Sequence, residues 1–204
     1  MGLVVADVSG HGVQAGMVTT AAKASLHTLL ALGINTPAGL LSGMNNAILQ
    51  TARQSLLMTC LIALIDTETD TLTFANAGHN FPYILARGER LPRMLETEVG
   101  FPLGFERDFA YPESRIPFGA GDSLIMYTDG VIECVDADGE ELGYERFAEL
   151  LAAALRSCSP EKLHASLLAG AASFSGNTLF DDDVTTLLAV RDAWPSPQDG
   201  TRKQ

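Results

Sequence analysis

Leu3-Val4-Val5-Ala6-Asp7-Val8-Ser9-Gly10-His11-Gly12 carries an apolar run into an aspartate and then into a glycine-broken loop. The run reads as a buried strand from Leu3 to Val8, beginning almost at Met1, and so abrupt a start points to an incomplete N-terminus. Glycine beyond Asp7 lets the backbone turn sharply, so that carbonyls as well as carboxylates can face a ligand. Past Gly12, the stretch Val13 to Leu32 is rich in Ala, Met and Leu and free of proline, which predicts a mostly buried helix closed by Gly33. Asn35-Thr36-Pro37 marks the start of a second helix reaching to about Ala52.

From Met58 the period changes from helical to β. Cys60 to Ile65 and Thr71 to Ala75 flank the polar Asp66–Asp70 turn and predict a hairpin. Further strands are expected at Tyr83 to Ala86, Phe109 to Ile116 and Ser123 to Tyr127, separated by turns at Arg87-Gly88-Glu89 and Phe118 to Asp122. Helices at Tyr144 to Arg156 and Glu161 to Phe174 follow, the second behind Ser159-Pro160, before a last strand at Val184 to Val190. Helices set between blocks of strands give an α+β layered architecture, a sheet sandwich covered by helices. Residues 1–191 are read as one domain, and 192–204, with Pro195, Pro197 and Gly200, as a flexible tail.

With 25 Asp+Glu against 13 Lys+Arg, the net charge of -12 repels a phosphate backbone and argues against nucleic acid as a partner. Cys60, Cys134 and Cys158 are odd in number and widely spaced, which fits a reducing cytoplasm better than a disulfide framework. No apolar stretch reaches bilayer length, so direct membrane insertion is not expected.

Three acidic motifs stand at strand ends: Asp7-Val8-Ser9-Gly10-His11-Gly12, Tyr127-Thr128-Asp129-Gly130-Val131 and Asp181-Asp182-Asp183-Val184-Thr185. Taken singly, an Asp-Gly after a strand is a turn, a run of three Asp is a solvated loop, and Asp7 could serve the following helix as a cap. Together they would converge if their strands share a sheet face. Oxygen donors alone favour Mg²⁺ or Mn²⁺ over zinc.

In order, these motifs with Asn76-Ala77-Gly78-His79-Asn80, Pro102-Leu103-Gly104, Gly121-Asp122, Ile132-Glu133, Gly139-Glu140 and Gly143 resemble the SpoIIE-like branch of the protein phosphatase 2C (PPM) family. The resemblance runs from Leu3 to Arg191. It implies a four-layer α-β-β-α sandwich lacking the N-terminal strands, with two Mn²⁺ or Mg²⁺ ions at one edge. It implies that Asp7 bridges both ions, that the Val8 carbonyl is a backbone ligand, and that Asp129 and Asp182 bind one ion, with Asp183 where the family has a neighbouring Asp or Asn. The activity implied is hydrolysis of phosphoserine or phosphothreonine on a regulatory protein, an anti-sigma-factor antagonist, through a water made more acidic by the cations.

The family's upstream Gly-Gly-Asp strand pair has no counterpart before Leu3, which would leave one metal site incomplete. It would also expose a sheet edge to pairing, a homodimer included. A pseudophosphatase that only binds phosphoprotein is the alternative. His11 is a candidate general acid, with a loop-fixing hydrogen bond as its plainer role, and His79 reads as holding a strand end near the site. The first two helices join the Asp7 loop to the remaining chain, so their packing could transmit control from an upstream sensor. Gly10-His11-Gly12 superficially matches a subtilisin-like histidine motif, but no nucleophile segment accompanies it.

Overall fold

The computed structural model describes residues 1–52, 54–157, 160–176 and 182–191. Asp181, Cys158 and the expected tail at 192–204 lie outside the described residues. Two four-stranded sheets face each other. Sheet A has the order β1-β2-β3-β6, from Gly2–Val8, Met58–Asp66, Thr71–Ala77 and Ser114–Pro117. Sheet B has the order β5-β4-β7-β8, from Arg93–Met94, Tyr83–Leu85, Ser123–Tyr127 and Thr186–Val190. Every pairing between these strands is antiparallel.

Helices α1 (Gly12–Ala31) and α2 (Pro37–Ala52) cover sheet A, and α3 (Gly143–Ser157) and α4 (Pro160–Ser175) cover sheet B. Three apolar clusters mark the three interfaces. Val18, Leu41, Met44 and Ile48 meet Cys60 and Ile62 under the first helix pair. Leu61, Phe74, Phe118, Leu124 and Met126 fill the space between the sheets. Tyr127, Phe147, Leu151 and Leu167 pack under the second helix pair. A strand such as Ser123–Tyr127 is buried along its whole length because sheet and helix claim its two faces in alternation.

The four-layer α-β-β-α arrangement agrees with the expected fold, and three local expectations are corrected. The first helix is not mostly buried: only Ala15, Val18 and Ala22 are, while Val13 and Met17 stand 82% and 60% exposed. Sheet A needs a single stripe from it, and the Ala-rich composition conceals which residues form that stripe. Phe109 to Glu113 is not strand. Its apolar residues serve a loop laid along α2, where Ser42 donates to the Phe109 carbonyl and the Ala38 N–H to Glu113. The two-residue strand Arg93–Met94, too short to show periodicity, was not anticipated.

Helix boundaries follow local chemistry. Thr36 Oγ1 accepts from the Gly39 N–H, and Gly33 takes the left-handed conformation (φ 82°) that ends α1. Among the described residues no helix is long and apolar enough to cross a membrane.

Candidate active site

Asp7 is the penultimate residue of β1, and Asp129 follows the last residue of β7 by two, so each sheet delivers one carboxylate at the same end of the sandwich. Asp182 and Asp183 arrive there on the segment leading into β8. Thr128 fixes that arrival. Its hydroxyl donates to the Asp183 carbonyl (2.9 Å) and accepts from the Thr185 N–H (2.8 Å), while its own N–H donates to the Thr185 carbonyl (3.0 Å). Gly130 explains the Asp-Gly pair: a Cβ there would stand 2.8 Å from the Asp183 carbonyl oxygen, so only glycine admits the acidic segment at this distance.

The carboxylates sense one another. Burial first, then the charges of Asp129, Asp182 and Asp183, push the Asp7 carboxyl above its ordinary 3.8, against a lowering hydrogen bond from the Val8 backbone. Asp7, Val8, Ser9, Gly10, His11, Asp182 and Asp183 line a cleft of about 560 Å³. Another hollow of about 620 Å³ lies at the far end of the sandwich beside Met1, Phe118 and Arg191, away from these carboxylates.

All six residues singled out in the sequence therefore reach one region. His11 lies in the same cleft as Asp7, exposed at the N-terminus of α1, and its side chain makes no capping bond to the helix. The alternative in which Asp7 caps that helix is not realised, because His11 occupies the cap position. Ser9 instead ties the loop to the neighbouring turn, donating to and accepting from Leu57.

Sequence reasoning missed several neighbours. Glu133 has its carboxyl raised by burial and then by Asp129, Glu141 and Asp182. The short 3-10 turn Asp129–Val131 brings it back, the Glu133 N–H bonding the Asp129 carbonyl, and the four-residue spacing was the available signal. Tyr144, on α3, has its phenol raised by burial and then by Glu133, Asp129 and Glu141, and it donates to Asn80 Oδ1 at 3.1 Å. Nothing in the sequence tied residue 144 to this end of the sandwich.

This donor set consists of carboxylates and the Val8 carbonyl, hard oxygen ligands that suit Mg²⁺ or Mn²⁺. A cation would also relieve the repulsion that raises the Asp7 pKa. The site is not drawn tight: among the described residues, no three His, Cys, Asp or Glu side chains stand close enough together to hold an ion as they are. The residues fit the ion in kind, and their side chains would have to move to close round it.

Comparison with known proteins fits this geometry. The family model for Stage II sporulation protein E (SpoIIE) matches residues 1–192. The chain is 27% identical over 137 residues to phosphoserine phosphatase RsbU of Bacillus subtilis (strain 168), covering 67% of this chain and 40% of that protein. It spans less than half the length of the curated relatives it matches. The SiaA-PP2C domain of Pseudomonas aeruginosa superposes with a TM-score of 0.78 at 26% identity, covering 94% of this chain and 75% of that one. The catalytic domain of the serine threonine protein phosphatase PstP, solved in complex with 2 manganese ions, shares the fold with a TM-score of 0.67 at 18% identity, over 94% of this chain and 88% of that one. With the match running through both sheets and all three acidic motifs, the chain belongs to the SpoIIE family and has the protein phosphatase 2C fold.

Proposed function

We propose that the chain is a divalent-metal-dependent protein phosphatase domain acting on phosphoserine or phosphothreonine of a regulatory protein, an anti-sigma-factor antagonist in kind. The observation that carries this is the meeting of Asp7, from sheet A, with Asp129, Asp182 and Asp183, from sheet B, at one cleft. Similarity to a phosphoserine phosphatase supports the substrate class. Asp7, the Val8 carbonyl, Asp129, Asp182 and Asp183 are the groups that would hold Mn²⁺ or Mg²⁺. Bound there, the ions would supply an activated water and offset the charge of the phosphoryl oxygens.

The chain's own residues have three tasks in this reading. The carboxylates would hold the ions in the cleft. Glu133, whose carboxyl is raised in part by Asp129, would add negative charge beside that aspartate and strengthen its hold on a cation. His11, exposed at the cleft, is the candidate that would give a proton to the departing serine oxygen. A cytoplasmic setting, with buried free thiols at Cys60 and Cys134, belongs to the same proposal.

The test is Mn²⁺-dependent hydrolysis of a phosphoserine protein, with p-nitrophenyl phosphate as a poor surrogate. Asp129→Asn should lower turnover by about a hundred- to a thousandfold, the scale on which loss of a principal electrostatic group acts, while leaving the fold intact. Equal turnover in mutant and wild type would refute the assignment. An inert wild type that still binds the phosphoprotein would establish the pseudophosphatase alternative.

A further inference from the structure

His79 is 6% exposed, on the turn that leaves β3, and is held by hydrogen bonds to Asn76 and Thr59. Its backbone is locked by buried Asn76, whose side chain accepts from the His79 N–H (2.7 Å) and donates to the His79 carbonyl (2.8 Å). On one side of the ring, Nδ1 lies 2.8 Å from Thr59 Oγ1. Thr59 is the β2 residue paired directly with Asp7, and its hydroxyl also lies 3.5 Å from the Asp7 carbonyl. On the other side, buried Nε2 makes no hydrogen bond. The Tyr127 carbonyl and the Asp129 carboxylate nevertheless both act on the ring, and only the stronger effect of burial keeps its pKa below the ordinary value. One imidazole thus stands between the strand carrying Asp7 and the strand end carrying Asp129.

We propose that His79 is a positioning residue that sets the separation of Asp7 and Asp129 across the two sheets, and so tunes the affinity of the cation site without touching the cation. This rests on the phosphatase reading only in taking those two aspartates as ligands. A rigid ring suits the role. It spans from the Thr59 hydroxyl to the neighbourhood of the Tyr127 carbonyl with two polar ends fixed in one plane, and the Asn76 clamp leaves its backbone no freedom to drift. Such outer hydrogen bonds commonly govern metal affinity even though they contact no ion.

The experiment measures Mn²⁺ dissociation constants by calorimetry for the whole chain and for Thr59→Val, His79→Asn and His79→Gln, with melting of the metal-free proteins alongside. Thr59→Val removes only the hydroxyl under Nδ1. His79→Asn keeps a group facing Thr59 but cannot reach sheet B, whereas His79→Gln extends an amide toward the Nε2 position. The proposal expects Mn²⁺ binding to weaken about ten- to a hundredfold in Thr59→Val and His79→Asn, with substantial recovery in His79→Gln. Should a His79 variant fail to fold, Thr59→Val decides alone. Mn²⁺ affinity within twofold of wild type in the folded variants would overturn the proposal, even if their melting temperatures fall, because a purely structural role would move melting alone. Absence of Mn²⁺ binding by the wild-type chain would instead overturn the phosphatase reading and this inference with it.

Discussion

Asp7 sits half-buried among like charges, and the direction of its pKa shift has a thermodynamic consequence. Because the folded-state value lies above the ordinary 3.8, Asp7 contributes stability that is fully present below about 3.8 and is lost as the pH rises through the raised value. At neutral pH the metal-free protein therefore carries an unfavourable carboxylate at its centre of function. Asp7→Asn should raise the neutral-pH melting temperature of the metal-free chain and flatten this part of its acid-side pH dependence. It should also abolish any thermal shift on adding Mn²⁺. Scanning calorimetry at pH 4 and pH 7, with and without Mn²⁺, checks all three, and an Asp7→Asn protein less stable than wild type at neutral pH would contradict the account. Glycine at 130 belongs to the same scale: the sequence showed an ordinary Asp-Gly turn, and only the nearness of the Asp183 carbonyl explains why no side chain is tolerated there.

The two helices over sheet A differ more than their similar compositions imply. Leu40, Leu41, Met44 and Ile48 on α2 are essentially fully buried against the sheet, whereas α1 offers three buried residues in twenty. Ile48→Ala should therefore cost about 2–5 kcal/mol, as expected when a fully buried branched side chain leaves a cavity. Met17→Ser, at a site 60% exposed, should change stability by less than about 0.5 kcal/mol. Urea unfolding of the two variants measures both values, and comparable losses would show that α1 is buried in solution. The sequence failed here for a physical reason. Alanine, glycine and threonine are compatible with either face of a helix, so a run such as Thr19 to Ala24 shows no apolar stripe until the sheet selects one.

On the scale of the molecule the two sheets are fastened at opposite ends by different chemistry. At the functional end the sheets meet through charge: Asp7 of sheet A faces the repelling Asp129, Asp182 and Asp183 of sheet B, with His79 beside Asp129. At the far end Arg191, just beyond β8, crosses to sheet A. Its guanidinium donates to the carbonyls of Phe118 (2.6 Å) and Thr67 (2.9 Å) and pairs with Asp70 at 2.5 Å. Arg191→Ala should lower stability by about 1–3 kcal/mol, mostly through the carbonyls left without donors, because Asp70 itself is exposed. It should leave Mn²⁺ affinity unchanged. Denaturant titration and calorimetry of that variant check the two halves, and altered metal affinity would show that the ends of the sandwich are coupled.

The order of strands and helices along the chain and the β2–β3 hairpin were legible in the chain itself, whereas Asp7, Asp129, Asp182 and Asp183 were expected to converge only on a shared sheet face and instead meet from two sheets. Apolar period and turn residues are local signals, and together they define which segments are strands, which are helices and which neighbours form a hairpin. Tertiary structure decided which face of α1 is buried, that Phe109 to Glu113 follows a helix rather than joining a sheet, and that Glu133, Tyr144 and Thr59 join His79 around the aspartates. Those outcomes depend on contacts between residues tens of positions apart, and the packing of two sheets against each other sets such distances where no local pattern can.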